Sequence, residues 1–145
     1  MTEETTSVEE TTEENQEQTT TVEEETPVVI DYDSILTSVK KMLGISYDYT
    51  HFDADIIFHI NTVFGILTQM GIGPKDGFTI SSSDDQWSSF LTSNDKVLEM
   101  VKSYMYMKVR SMFDPPTMSS VSDSLNRMIS ELEWRLYTQE DLKEV

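Results

Sequence analysis

The chain has 145 residues, with 27 acidic against 10 basic side chains, a formal charge of -17 and no cysteine. That length suits one ordinary domain with a tail, and the charge argues against a protein that grips nucleic-acid phosphates or an anionic membrane. Without cysteine there is no disulfide framework, zinc-thiolate site or thiol nucleophile; with no long apolar run and no basic-then-apolar leader, the expectation is a soluble, intracellular, non-enzymatic chain.

The charge is unevenly placed. Residues 1–26 contain ten Glu, nine Thr and no Lys or Arg, so they carry -10 and leave -7 for residues 27–145. Only Met1, Val8 and Val22 are apolar in that stretch. This is too little burial to offset the entropy of ordering, so residues 1–27 are expected to be a disordered acidic tail closed by Pro27. Residues 28–138 are expected to fold as one domain, and 139–145 to be a flexible C-terminal segment.

From Tyr32 to Leu43, the apolar residues Ile35, Leu36, Val39, Met42 and Leu43 recur at helical spacing. Asp31 or Asp33 is the expected cap, and Gly44 the left-handed end. A loop with Tyr47, Tyr49 and Phe52 follows. Asp53 is the expected N-cap of a second helix, which carries Ile56, Ile57, Ile60, Val63, Phe64, Leu67 and Met70 and ends at Gly71. Gly65 inside it costs stability relative to Ala, which suggests that another backbone approaches closely there.

Residues 71–77 are turn chemistry, and Phe78-Thr79-Ile80 reads as a short strand or extended connector. Asp84 to Leu91, with Trp87, Phe90 and Leu91, predicts one or two helical turns. Asn94 or Asp95 then caps a long helix that runs to Phe113 and stops at Asp114-Pro115-Pro116. Ser119 or Ser120 opens a last helix with Val121, Leu125, Met128, Ile129, Leu132 and Leu136 on one side. The fold class is all-α, a small bundle of four to five helices with a loop-rich middle.

Little in the chain points to chemistry. Gly71, Gly73 and Gly77 follow a helix, whereas phosphate-binding loops follow a strand and open a helix. Asp55 and His59 stand four apart on one helical face, with His51 and Asp53 upstream, a spacing at which a metal can be shared. A first-turn carboxylate favoured by the helix dipole explains the same pattern, and no second ligand cluster accompanies it. No serine lies in a G-x-S-x-G setting, and no carboxylate pair stands in an apolar context. No catalytic residue, metal or cofactor is expected.

The helices carry more apolar surface than one core needs. On the long helix, Leu98, Val101, Met105, Val109 and Met112 form one stripe. Met100, Tyr104 and Met107 add a neighbouring strip, and Tyr106 stands near Lys102 and Arg110 on a further face. Such a helix is buried on more than one side, either by its own bundle or by another subunit. Met100, Tyr104, Tyr106, Met107 and Arg110 are therefore the subunit-interface candidates. On the last helix, 100° per residue places Trp134 opposite Leu125, Leu132 and Leu136, beside Arg127 and Glu131. A Trp turned from its own core suggests an interface anchor, unless the loop with Trp87 folds over it.

Several runs, in order, carry a resemblance. They are Ser38-Val-Lys-Lys-Met-Leu-Gly-Ile45, Phe52-Asp-Ala-Asp-Ile-Ile-Phe-His-Ile-Asn61, and Gly71-Ile-Gly-Pro-Lys75 with Trp87 downstream. After them come Lys102-Ser-Tyr-Met-Tyr-Met-Lys-Val-Arg110, Phe113-Asp-Pro-Pro116 and Leu125-Asn-Arg-Met-Ile-Ser-Glu-Leu-Glu-Trp-Arg-Leu136. Over roughly residues 31–138 the chain resembles the phage head-tail connector (adaptor) proteins.

The resemblance implies a structural virion protein at the neck, present in the host cytoplasm during assembly. Members are small helical bundles that form a ring, commonly of twelve subunits, beneath the portal. The ring extends the DNA channel and offers the surface for the next neck or tail component. Implied partners are copies of itself, the portal protein and the downstream neck or tail protein. DNA passes through the lumen without specific binding, and no cofactor or membrane is involved. The family's C-terminal segment is associated with portal docking, which points to Trp134, Arg135, Tyr137 and Leu142. The competing reading is an acidic regulatory or DNA-mimicking binder, which would need carboxylates spaced along the folded surface; ten of the 27 lie in the tail instead.

Overall fold

A computed structural model of the chain describes residues 26–92 and 95–141. The readings made for residues 1–25, for Asn94 and for Leu142 lie outside the described residues. Among the described residues five helices occur in the order α1 (Ile35–Met42), α2 (Asp53–Gln69), α3 (Trp87–Phe90), α4 (Asp95–Phe113) and α5 (Ser119–Asp141). The all-α expectation holds. The Phe78–Ile80 segment is a connector and not a strand, and the isolated bridge between Ser34 and Gln86 lies outside it.

The caps differ from expectation in an instructive way. Ser34, not Asp31 or Asp33, caps α1, its hydroxyl accepting the Thr37 N–H. The two aspartates instead hold the distant 85–88 segment. Asp31 accepts from the Gln86 amide at 2.8 Å, and Asp33 from the Ser88 hydroxyl at 2.8 Å. The backbone completes this clamp: Ile35 N–H donates to the Asp85 carbonyl and Trp87 N–H to the Asp33 carbonyl. Asp53 is the first helical residue of α2, not its cap, and its carboxylate faces Lys40 of α1. Gly44 and Gly71 end α1 and α2 at positive φ, as expected.

The core gathers on α4, which packs against α2 and α5 and also meets α1. Ile56, Ile60, Val63, Phe64 and Leu67 of α2 face Val97, Val101, Met105 and Val109 of α4 within one buried cluster. The loop-rich middle is fastened over it by aromatic rings: Phe64 lies 4.8 Å from Phe90 and 5.0 Å from Phe78, with Trp87 at 6.1 Å. Asn61 of α2 imitates a strand partner for Ile80, accepting its N–H at 2.8 Å and donating to its carbonyl at 3.0 Å. This pairing gives the connector's backbone groups a partner that an absent sheet would otherwise supply.

The two informative glycines exchange roles. A Cβ on Gly65 would meet nothing within 4 Å, so close backbone approach is not the reason for it. Gly73 is the crowded one: its φ is +88° and a Cβ there would lie 2.3 Å from Cε2 of Phe90. Gly73→Ala is expected to cost about 2–4 kcal/mol, from the left-handed backbone and the displaced Phe90 ring together. Gly65→Ala is expected to stabilise by up to about 1 kcal/mol, as in any open helix interior. Urea denaturation of the two variants checks both signs.

On α5 the core stripe is narrower than expected. Ile129 and Leu136 are buried, and Leu125 and Leu132 pack against the cluster; Val121 and Met128 sit at the stripe's margin and are exposed. The helix continues through Asp141, into the segment expected to be flexible. Among the described residues, no helix is long and apolar enough to cross a membrane.

Candidate functional site

α5 packs on the core through Leu125, Ile129, Leu132 and Leu136, and a part-buried polar contact to α4 accompanies that packing. Tyr104 of α4 is fully buried, and its hydroxyl donates to Oε1 of Glu133 on α5 at 2.9 Å. Lys108, one turn further along α4, approaches the same oxygen at 3.4 Å. Burial first, and the adjacent Glu133 carboxylate second, raise the Tyr104 phenol above its ordinary pKa, so it stays a neutral donor. Tyr104 thus works inside the subunit. This corrects its assignment as a subunit-interface residue: the ring has no free face, because α5 covers it.

With Glu133 turned towards α4, the next residue is carried about 100° around the helix. Trp134 is 67 % exposed and Tyr137 56 % exposed, while Leu136 between them is fully buried. Arg135 lies beside them, exposed and paired with Glu131 one turn earlier. Trp87 does not fold over Trp134. It is 1 % exposed in the core, its indole N–H donating to Ser38 Oγ at 2.9 Å. Trp134, Arg135 and Tyr137 are therefore available together on one end of α5, whereas Leu142 lies outside the described residues.

The remaining interface candidates separate. Met100 and Met107 are half-buried against the core. Arg110 is half-buried beside the Asp114–Pro116 turn. Tyr106 lines a groove of about 280 Å³ between α1 and α4, with Met42, Trp87 and Tyr32 as apolar walls. Two cations border this groove: Lys41 Nζ stands 4.0 Å from the Tyr32 ring centre and Lys102 Nζ 5.9 Å from that of Trp87.

A second outward face was not anticipated. Asp55, Phe58, Thr62, Gly65 and Gln69 form an exposed stripe on α2, and Phe58 is 69 % exposed. Its one sequence signal was negative: Phe58 falls outside the apolar stripe of its own helix. Around it runs a chain of ring contacts, from Phe58 to His59 (5.6 Å), to Phe113 (6.4 Å), to Phe52 (5.4 Å) and on to His51 (4.8 Å). His59 therefore lies among aromatic rings, and no group of three or more His, Cys, Asp or Glu side chains suited to a metal occurs among the described residues. Residues 42–74 contain Asp48, Asp53 and Asp55 and no Lys or Arg. With Asp53 held by Lys40, Asp55 is the carboxylate that stands exposed on this stripe.

What the arrangement offers is surface: exposed aromatic side chains on α5 and α2, and an apolar groove with Lys41, Lys102 and Glu99 along its rim. A family model described as phage connector protein matches residues 35–143. No curated protein and no solved structure matches the chain.

Proposed function

This chain is a member of the phage connector protein family, and on that premise we propose that it acts as a non-enzymatic ring subunit beneath the portal. A ring of copies, commonly twelve in the family, extends the DNA channel and offers the attachment surface for the next neck or tail component. It assembles in the host cytoplasm and stays in the virion neck. The observation that supports portal docking is the outward set Trp134, Arg135 and Tyr137, on a helix fastened to the core by Ile129, Leu136 and the Tyr104–Glu133 hydrogen bond. Trp and Arg side chains of this kind are the usual anchors of protein interfaces. The net acidic body suits a lumen through which DNA slides without being gripped.

Mass photometry of the full chain mixed with purified portal tests the reading. Added mass corresponding to a ring of subunits is expected. A chain that stays monomeric and ignores portal at micromolar concentration would overturn it. Trp134→Ala should weaken docking about thirtyfold, the effect of a ~2 kcal/mol anchor, with helical circular dichroism unchanged. Unfolding of that variant would instead place Trp134 in the core.

A further inference from the structure

A closed ring of identical subunits needs two different surfaces on each copy, because its contacts are heterologous. The protomer carries such a pair. The α1/α4 groove has apolar walls from Met42, Trp87 and Tyr106 and a rim with Lys41 and Lys102. The α2 face has Phe58 standing out, with Asp55 three residues before it on the same helical side. The two are complementary in shape, one concave and one projecting, and in charge: Lys41 and Lys102 outnumber Glu99 on the groove's rim, and Asp55 stands beside Phe58. Resting on the ring reading above, we propose that Phe58 of one copy enters the Lys41–Lys102 groove of the next, with Asp55 meeting the lysine rim.

The placement of the two faces fits a contact that propagates. Groove residues Glu99, Lys102, Ser103 and Tyr106 lie along one side of α4, while Val101 and Met105 of the same helix enter the core. Likewise the stripe containing Asp55 and Phe58 is exposed, while Ile56, Ile60 and Val63 enter the core. Each face thus points away from the shared core on its own side, so one copy can use both at once. The groove's floor and lysines suit an aromatic occupant specifically: apolar walls take the ring body, and an ammonium near the ring face adds cation–π attraction. Lys102 has only an exposed partner, Glu99 at 3.4 Å, which an incoming carboxylate can replace.

The absence of native cysteine makes the contact directly testable. Full-length chain carrying Asp55→Cys with Ser103→Cys, which keeps the Phe58 ring, assembled on purified portal and oxidised with copper phenanthroline, is expected to give a ladder of disulfide-linked multimers on a denaturing gel. A mixture of the two single variants should stop at dimers, and neither alone should cross-link. Met42→Cys in place of Ser103→Cys reports the groove's other wall. Phe58→Ala should raise the concentration for half-assembly at least tenfold with circular dichroism unchanged. Rings in which neither cysteine pair cross-links would overturn the contact and leave the ring reading standing. Cross-linking between two Asp55→Cys copies would overturn it in favour of a two-fold dimer. A wild-type chain that forms no ring on portal would overturn the ring reading, and the contact with it.

Discussion

Trp87→Ala is expected to lower the stability of the bundle by about 4 kcal/mol, the usual cost of emptying a large aromatic site in a core. The side chain is 1 % exposed, lies 6.1 Å from Phe64 and 6.5 Å from Phe90, and spends its indole N–H on Ser38 of α1. Removing it opens a cavity where α1, α2 and the 72–91 connector meet. It also leaves Phe90 less supported against Gly73. For a domain of this size the loss is expected to lower Tm by roughly 20 °C. Thermal unfolding followed by circular dichroism measures it, and a drop under 5 °C would show that the connector is not an integral part of the core. Trp134→Ala is the natural control, since that indole is exposed and its removal should move stability by less than about 0.5 kcal/mol.

Lys40→Ala is expected to cost about 3 kcal/mol. Lys40 is only 2 % exposed, an unusual position for a lysine, and its ammonium has two partners. One is Oδ1 of Asp53 at 2.8 Å, and the other is the Tyr47 carbonyl at 3.0 Å. The Asp53 oxygen is sealed from solvent and meets the ammonium at ion-pair distance without ideal hydrogen-bond direction, so Lys40 is its sole compensation. Removing the cation strands a buried carboxylate, which costs more than the pair itself is worth. The Asp53 side chain as a whole is a quarter exposed, and this holds the expected loss to the lower end of the range for such pairs. The diagnostic measurement is a double-mutant cycle. Lys40→Met with Asp53→Ala should be more stable than Lys40→Met alone, because the double variant leaves no unpaired charge. The reverse order would show that Asp53 finds another partner.

The Lys40–Asp53 pair also shows why part of this molecule could not be read from its sequence. Asp53 was read as a helix-start aspartate, while Lys40, one of two adjacent lysines in the α1 segment, gave no local sign of burial. Nothing local says that the two meet across the Leu43–Phe52 loop. The same limit explains the exchange between Gly65 and Gly73. A glycine's neighbours in sequence report its helix or turn, but its need for glycine depends on whether a distant ring such as Phe90 occupies the space a Cβ would take. Tyr104 was assigned outward for a related reason. Its helix is apolar over much of its circumference, and periodicity alone does not say which of those faces α5 will cover. Phe58 was overlooked because attention to the buried stripe passes over an apolar residue outside it.

Much of the rest was legible because it is encoded locally. The helices, their glycine and proline ends and the all-α class follow from periodicity and backbone restriction, which act within a few residues. So does the outward direction of Trp134, since Leu125, Leu132 and Leu136 fix the inward side of α5 and rotation along a helix is regular. Composition alone separated a -10 stretch from a body of -7. The tertiary structure decided what each apolar face meets: that Trp87 fills the core, that Glu133 pins α5 to Tyr104, and that Phe58 and the Lys41–Lys102 groove are left uncovered on separate sides. A sequence states how much surface each helix must bury. Which surface remains for a partner is settled only after the helices have covered one another.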